Sequence, residues 1–173
     1  NGSYVNARFF DPDATGKRKT KNLTGVDVAL MGLEDLASMP DHLPIWVAAG
    51  EWDRICLKEI LRKAGIEAVV LAIPGEKIFK DTWLHFFKDR DVVIAYDHDD
   101  DGMKGVKRVA LKLNGIATSI SYINWPTELP KGFDVRDFFM TGGEANVLLE
   151  MIKPYVAEKE DAKAEIDYYA GLQ

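Results

Sequence analysis

Three stretches of strand length that are apolar on both faces constrain this chain most, "LPIWVAAG" (Leu43 to Gly50), "EAVVLAIPG" (Glu67 to Gly75) and "DVVIAYD" (Asp91 to Asp97), with "ATSISYINW" (Ala117 to Trp125) as a fourth strand of the same series. A strand that hides both faces belongs to a sheet covered on both sides, which is the habit of parallel α/β sheets. The segments between them fit. "EWDRICLKEILRKAG" carries Ile55, Ile60, Leu61 and Ala64 near helical period with Gly65 placed to end the helix, and "MKGVKRVALKLNG" sets Met103, Val106, Val109, Ala110 and Leu113 on one face. "DTWLHFFKD" predicts a further helix between the second and third strands. The expected fold class is therefore α/β, a parallel sheet flanked by helices.

The flanks of this series differ from it. "SYVNARFF", the turn-rich "DPDATG" and "KRKTKNLTG" predict a β-hairpin whose second arm is basic. Arg8, Lys17, Arg18, Lys19 and Lys21 face only Asp11 and Asp13 within residues 1–25, a balance of +3 in a chain whose net charge is −6. A short helix is expected over Val28 to Ser38, stopped by Pro40, and a final helix from about Glu144 that turns polar after Glu158. These boundaries divide the chain into an N-terminal basic subdomain (1–40), the α/β domain (41–141) and a C-terminal helix (142–173). One cysteine, Cys56, excludes an internal disulfide framework and a cysteine-based zinc cluster within this sequence and fits a reducing, cytoplasmic setting. No apolar run approaches the ~20 residues of a membrane span. With neither an initiator Met nor a signal-peptide core at its start, the sequence reads as a piece of something longer.

"YDHDDDG", Tyr96 to Gly102, packs four aspartates and a histidine directly behind a buried strand. Like charges this close cost free energy unless a cation, a raised pKa or a helix start compensates them. Asp97 and Asp99 stand two apart, so in extended backbone they point the same way. Glu51 follows a neighbouring strand, and sites in parallel sheets form at the carboxyl edge, so the three could make an oxygen cage for Mg2+. A simpler reading has the cluster capping the next helix through Asp101, and Glu51 as a solvated helix-start residue. The segment also matches the start of an EF-hand loop, but Arg108 stands where the twelfth-position Glu belongs, and the segment follows a strand. His98 is expected to be a solvent-facing loop residue, and Lys104, Lys107, Arg108 and Lys112 a cationic face that is either solvated or steers phosphates.

Taken together, Glu51 in "AAGEWDRICL", "VVIAYDHDDDG" some forty-six residues later and "FDVRDFF" beyond it resemble, over about Leu43 to Met140, the Toprim domain shared by bacterial primases, phage primase-helicases, topoisomerases and some nucleases. The basic segment before it resembles the subdomain that precedes Toprim in primases. The resemblance implies metal-dependent synthesis of RNA primers on single-stranded DNA from nucleoside triphosphates, with Glu51, Asp97 and Asp99 catalytic and holding Mg2+ or Mn2+. Asp53 and Asp101 would be further metal ligands, Asp134 and Asp137 would stand behind them, and Arg8, Lys19 and Lys21 would hold phosphates. A zinc-binding domain and a replicative helicase would be partners outside this sequence. One departure is that primases carry "EGxxD" where this chain reads "AGEWD", with Gly50 before the glutamate; Glu51 and Asp53 are expected to retain the spacing of the motif's acids. Two alternatives keep the fold: a Toprim nuclease using water as the nucleophile, and a non-catalytic nucleic-acid-binding module of a larger replication protein.

Overall fold

The computed structural model describes residues 8–10, 20–22, 28–75 and 77–157. Strands β1 (Arg8–Phe10) and β2 (Thr20–Asn22) pair antiparallel, with Phe9 opposite Lys21. The hairpin expected from the alternating and basic segments is therefore present, while Lys19 lies outside the described residues. A five-stranded sheet forms the body, in the order β4 (Val69–Ala72), β3 (Ile45–Ala48), β5 (Asp91–Ala95), β6 (Ser119–Ile123), β7 (Ile152–Pro154). The first four run parallel, and β7 joins β6 antiparallel.

Both faces are buried along β3 and β4 and over most of β5, which explains their apolar runs, while β6 and β7 are only partly buried. Ile45, Val47, Val69, Leu71, Val92 and Ile94 point to one side, against Val106, Val109, Ala110 and Leu113 of α3 (Asp100–Leu113) and Trp83 and Phe87 of a 3-10 helix (Asp81–Phe87). The alternating residues Trp46, Val70 and Ala95 point to the other. There they meet Leu57, Ile60 and Leu61 of α2 (Glu51–Lys63), together with Val135 and Phe138 of α4 (Val135–Met140) and Leu148 of α5 (Ala145–Glu150). The period-2 alternation of each strand thus feeds two separate cores.

Three local readings are corrected. The first helix, α1, spans Leu33–Ser38 rather than starting at Val28, because Met31 exchanges both backbone hydrogen bonds with Ala72 at the edge of β4, and Gly32 then turns the chain at a φ of +100°. A side chain at Gly32 would place its Cβ 2.5 Å from the Val70 carbonyl and 2.6 Å from the Arg54 Nε. That Arg54 is buried; it donates to the Val70 carbonyl, Glu34 and Asp35, tying α2 to α1 and β4. On α2 it is Leu57 that takes the inward place expected of Ile55, which is 48% exposed, and Met103 at the start of α3 is likewise on the surface. Finally, within the stretch expected to form the C-terminal helix, α5 stops at Glu150 and gives way to β7, whose neighbour Tyr155 donates its amide to the Ile120 carbonyl, while residues 158–173 of that stretch lie outside the described residues.

Candidate functional site

Chain order and strand order together locate the site. From β3 the chain moves outward to β4 on one side, then crosses back and proceeds from β5 to β6 on the other. Its helices follow suit, with α2 covering one face and α3 the opposite one. The loops after β3 and β5 therefore diverge at the carboxyl edge, and the crevice between them is the usual ligand position in open parallel sheets. Ala48 and Ala95, the last residues of these adjacent strands, are register partners. Glu51 opens α2 on one lip; Asp97 and Asp99 stand on the other.

The aspartate-rich loop is held by three contacts. Asp99, not Asp101, caps α3, its Oδ1 accepting from the Gly102 amide at 2.7 Å. Gly102 is required by contact as well: a Cβ there would stand 2.1 Å from the Asp97 carbonyl oxygen. The spacing D-x-x-G from Asp99 to Gly102 is thus one capping hydrogen bond plus one close backbone approach. His98, between the two motif acids, donates its amide to the Phe133 carbonyl at 2.8 Å, and its own carbonyl accepts from Gly132. That pairing pins the loop to the segment carrying Asp134, so His98 has a structural backbone role beyond that of a solvent-facing loop residue.

Asp134 caps α4, accepting from the Asp137 amide at 2.8 Å and from the Arg136 guanidinium at 3.1 Å. Across the α2–α4 seam, Asp53 accepts from the Arg136 amide at 3.3 Å. Burial, and then the nearby Asp134 charge, push its carboxyl up to about 6. The same burial, with Asp53 beside it, raises the Cys56 thiol above its ordinary value, the opposite of an activated nucleophile. Asp101 is placed differently, at 3.0 Å from Lys77 and 3.8 Å from Lys104, and its carboxyl is held below the usual value by the Lys77 hydrogen bond and charge. Sequence reasoning found these acids but not the coupling of Asp53 to Asp134, which are far apart in the chain.

The contact at Gly50 bears on the motif register. A Cβ at Gly50 would lie 2.9 Å from Asp53 Oδ2, so a glycine is favoured three residues before this aspartate. Read as E-G-x-x-D, the chain then places Gly50 and Asp53 on the motif and Ala49 where the glutamate belongs, with Glu51 two residues further on. The donor chemistry at the edge, carboxylates from adjacent strand ends, suits a hard divalent cation. The cage is not pre-assembled: among the described residues no group of three or more His, Cys, Asp or Glu side chains is placed to hold one metal ion. No helix of the described residues is long and apolar enough to cross a membrane.

No protein-family model matches this sequence, and no curated protein does. Solved structures do. The zinc-binding and RNA polymerase domains of the Aquifex aeolicus primase match with a TM-score of 0.62 at 20% identity, over 87% of this chain and 38% of that one. A second match, with a TM-score of 0.60 at 18% identity, covers 80% of this chain and 69% of that one; it comes from the structure of the bacteriophage T7 lagging-strand DNA polymerase interacting with primase domains of two gp4 subunits bound to an RNA/DNA hybrid and dTTP. At these identities the likeness is one of fold, and the chain spans about two fifths of the Aquifex chain. The hairpin-preceded, mostly parallel α/β sheet described above is a primase-type fold.

Proposed function

We propose that this chain is the Toprim-type polymerising core of a DNA primase, joining ribonucleotides on a single-stranded DNA template. The observation that carries this reading is the switch point between β3 and β5 of a primase-type fold, with Glu51 following the one strand and Asp97 and Asp99 the other. Glu51, Asp97 and Asp99 would hold Mg2+ or Mn2+. The ion's chemistry is to align the attacking 3′-hydroxyl and the leaving pyrophosphate and to offset developing charge. Asp97 and Asp99 would contribute two carboxylates from one loop, whose backbone the close Gly102 approach and the His98–Phe133 pairing hold. Asp99 commits only Oδ1 to the α3 cap. Arg8, Lys19 and Lys21 would neutralise template or nucleotide phosphates, a zinc-binding domain and a replicative helicase would act beside it, and the cytoplasm would be its setting.

Template-dependent incorporation of ribonucleotides into short primers, with Mg2+ or Mn2+ and a zinc-binding partner supplied, tests this. Loss of incorporation in Asp97→Asn with the fold intact supports it. Shortening of the labelled DNA in place of primer growth would move the nuclease reading ahead.

The Gly50–Asp53 contact favours a second reading, in which Ala49 has replaced the motif glutamate and the chain is a nucleic-acid-binding module without turnover. Calorimetric titration with Mn2+ separates the two. Under the primase reading Glu51→Gln weakens binding. Under the module reading Glu51→Gln is silent, and Ala49→Glu creates or tightens the site.

A further inference from the structure

Three lysines from three separate segments converge beside the β5 lip of the crevice. Lys77 follows β4, Lys104 lies in the second turn of α3, and Lys131 sits between β6 and α4. Their ammoniums stand 3.0 and 3.8 Å from Asp101 and 3.5 Å from Asp100, and all three charges act on the Asp101 carboxyl. The lysine side chains are 68%, 70% and 75% exposed. Ion pairs this open hold their partners weakly, so a denser anion can take the lysines over at little cost. Compact ammoniums on mobile stems make point contacts with phosphates and read no sequence.

We propose that Lys77, Lys104 and Lys131 form a contact surface for the phosphate backbone of single-stranded nucleic acid, separate from the basic hairpin, and that Asp100 and Asp101 hold the lysines gathered until phosphates displace them. The choice of a single strand rests on the primase reading and on Trp52. That residue, 49% exposed at the start of α2, offers at the same sheet edge an aromatic face of the kind unstacked bases use. Trp46, Trp83 and Trp125 are all buried, so quenching of tryptophan emission on binding would report Trp52.

The test is fluorescence anisotropy of a labelled oligothymidylate across a salt series in EDTA, which keeps metal chemistry out. Replacing all three lysines by Ala is expected to weaken binding about tenfold at low salt and to flatten the log–log salt slope by about 2, three contacts at roughly 0.7 each. Asp101→Asn is expected to tighten binding about threefold, since it removes the competing anion. An unchanged slope in the triple variant overturns the proposal, and so does unchanged or weaker binding by Asp101→Asn. Equal competition by duplex of the same length overturns the single-strand assignment. Thermal melting confirms that the variants fold. Lysine-dependent binding in a chain that extends no primer would leave this proposal standing and remove the primase reading; primer extension by a chain whose salt slope the triple Ala change leaves unaltered would do the reverse.

Discussion

Two groups of aspartates lie at the carboxyl edge of the same sheet, and they meet the cost of crowding in opposite ways. At the start of α3, Asp100 and Asp101 remain in solvent and gather lysines, so the Asp101 carboxyl sits below its ordinary value. In the α2–α4 seam, Asp53 is largely withdrawn from water and faces Asp134, and its carboxyl rises from 3.8 to about 6. Composition alone cannot distinguish the two. Access to solvent and to cations decides whether a carboxylate is neutralised by a neighbour or by a proton.

The comparison can be broken most forcefully at the backbone of the first group. Gly102→Ala drives a methyl group into the Asp97 carbonyl at 2.1 Å and should cost about 3 kcal/mol in urea unfolding, at the upper end for overpacked sites. A loss below ~1 kcal/mol would mean that the loop shifts freely and that its carboxylates are not fixed.

The seam supplies the next largest effect. Because the folded Asp53 carboxyl binds its proton more tightly than the unfolded one, its contribution to stability is fully present below 3.8 and lost as pH rises through about 6. Asp53→Asn should therefore stabilise the protein at pH 7 by roughly 2 kcal/mol and flatten the decline between those pH values. Parallel pH profiles for variant and parent would remove Asp53 as the source.

Asp99→Ala should cost about 1 kcal/mol through loss of the α3 cap, whereas Asp99→Asn should keep most of the stability while weakening Mn2+ binding. Equal losses from both would show that the charge, not the cap, holds the helix. The smallest effect belongs to the exposed pairs: Asp101→Asn should leave the melting temperature unchanged, and any clear shift would mean that the lysine contacts support the fold.

The strands β3, β4 and β5 were legible in the sequence because burial on both sides leaves a short apolar run bounded by turn residues, whereas β6, partly buried and reading Ser-Ile-Ser-Tyr-Ile, was legible from its place after a helix in the alternating series. Both helices α2 and α3 were legible from period, yet Ile55 and Met103 were placed inward and lie outside, since period alone does not say which edge of an apolar stripe a neighbour covers. The β7 strand was not legible: three residues, one a proline, form a strand only because β6 offers them an open edge. At the site, the Asp97 and Asp99 positions followed from strand end and spacing. The capping role of Asp99, the Asp53–Asp134 coupling and the Gly50 contact that shifts the motif register arise from tertiary approach, which has no local signature.

The two outer strands of the sheet carry a further consequence. An uncovered edge presents unpaired amides and carbonyls on which another chain can add. Along β4, Met31 occupies the Ala72 position with both of its backbone hydrogen bonds and then leaves at Gly32 for α1. On the far side, β7 is three residues long and ends in Pro154, which has no amide to offer. Each rim is therefore too short or too poor in donors to template a neighbouring molecule. A protein built this way can be held at high concentration without its sheets joining edge to edge into aggregates.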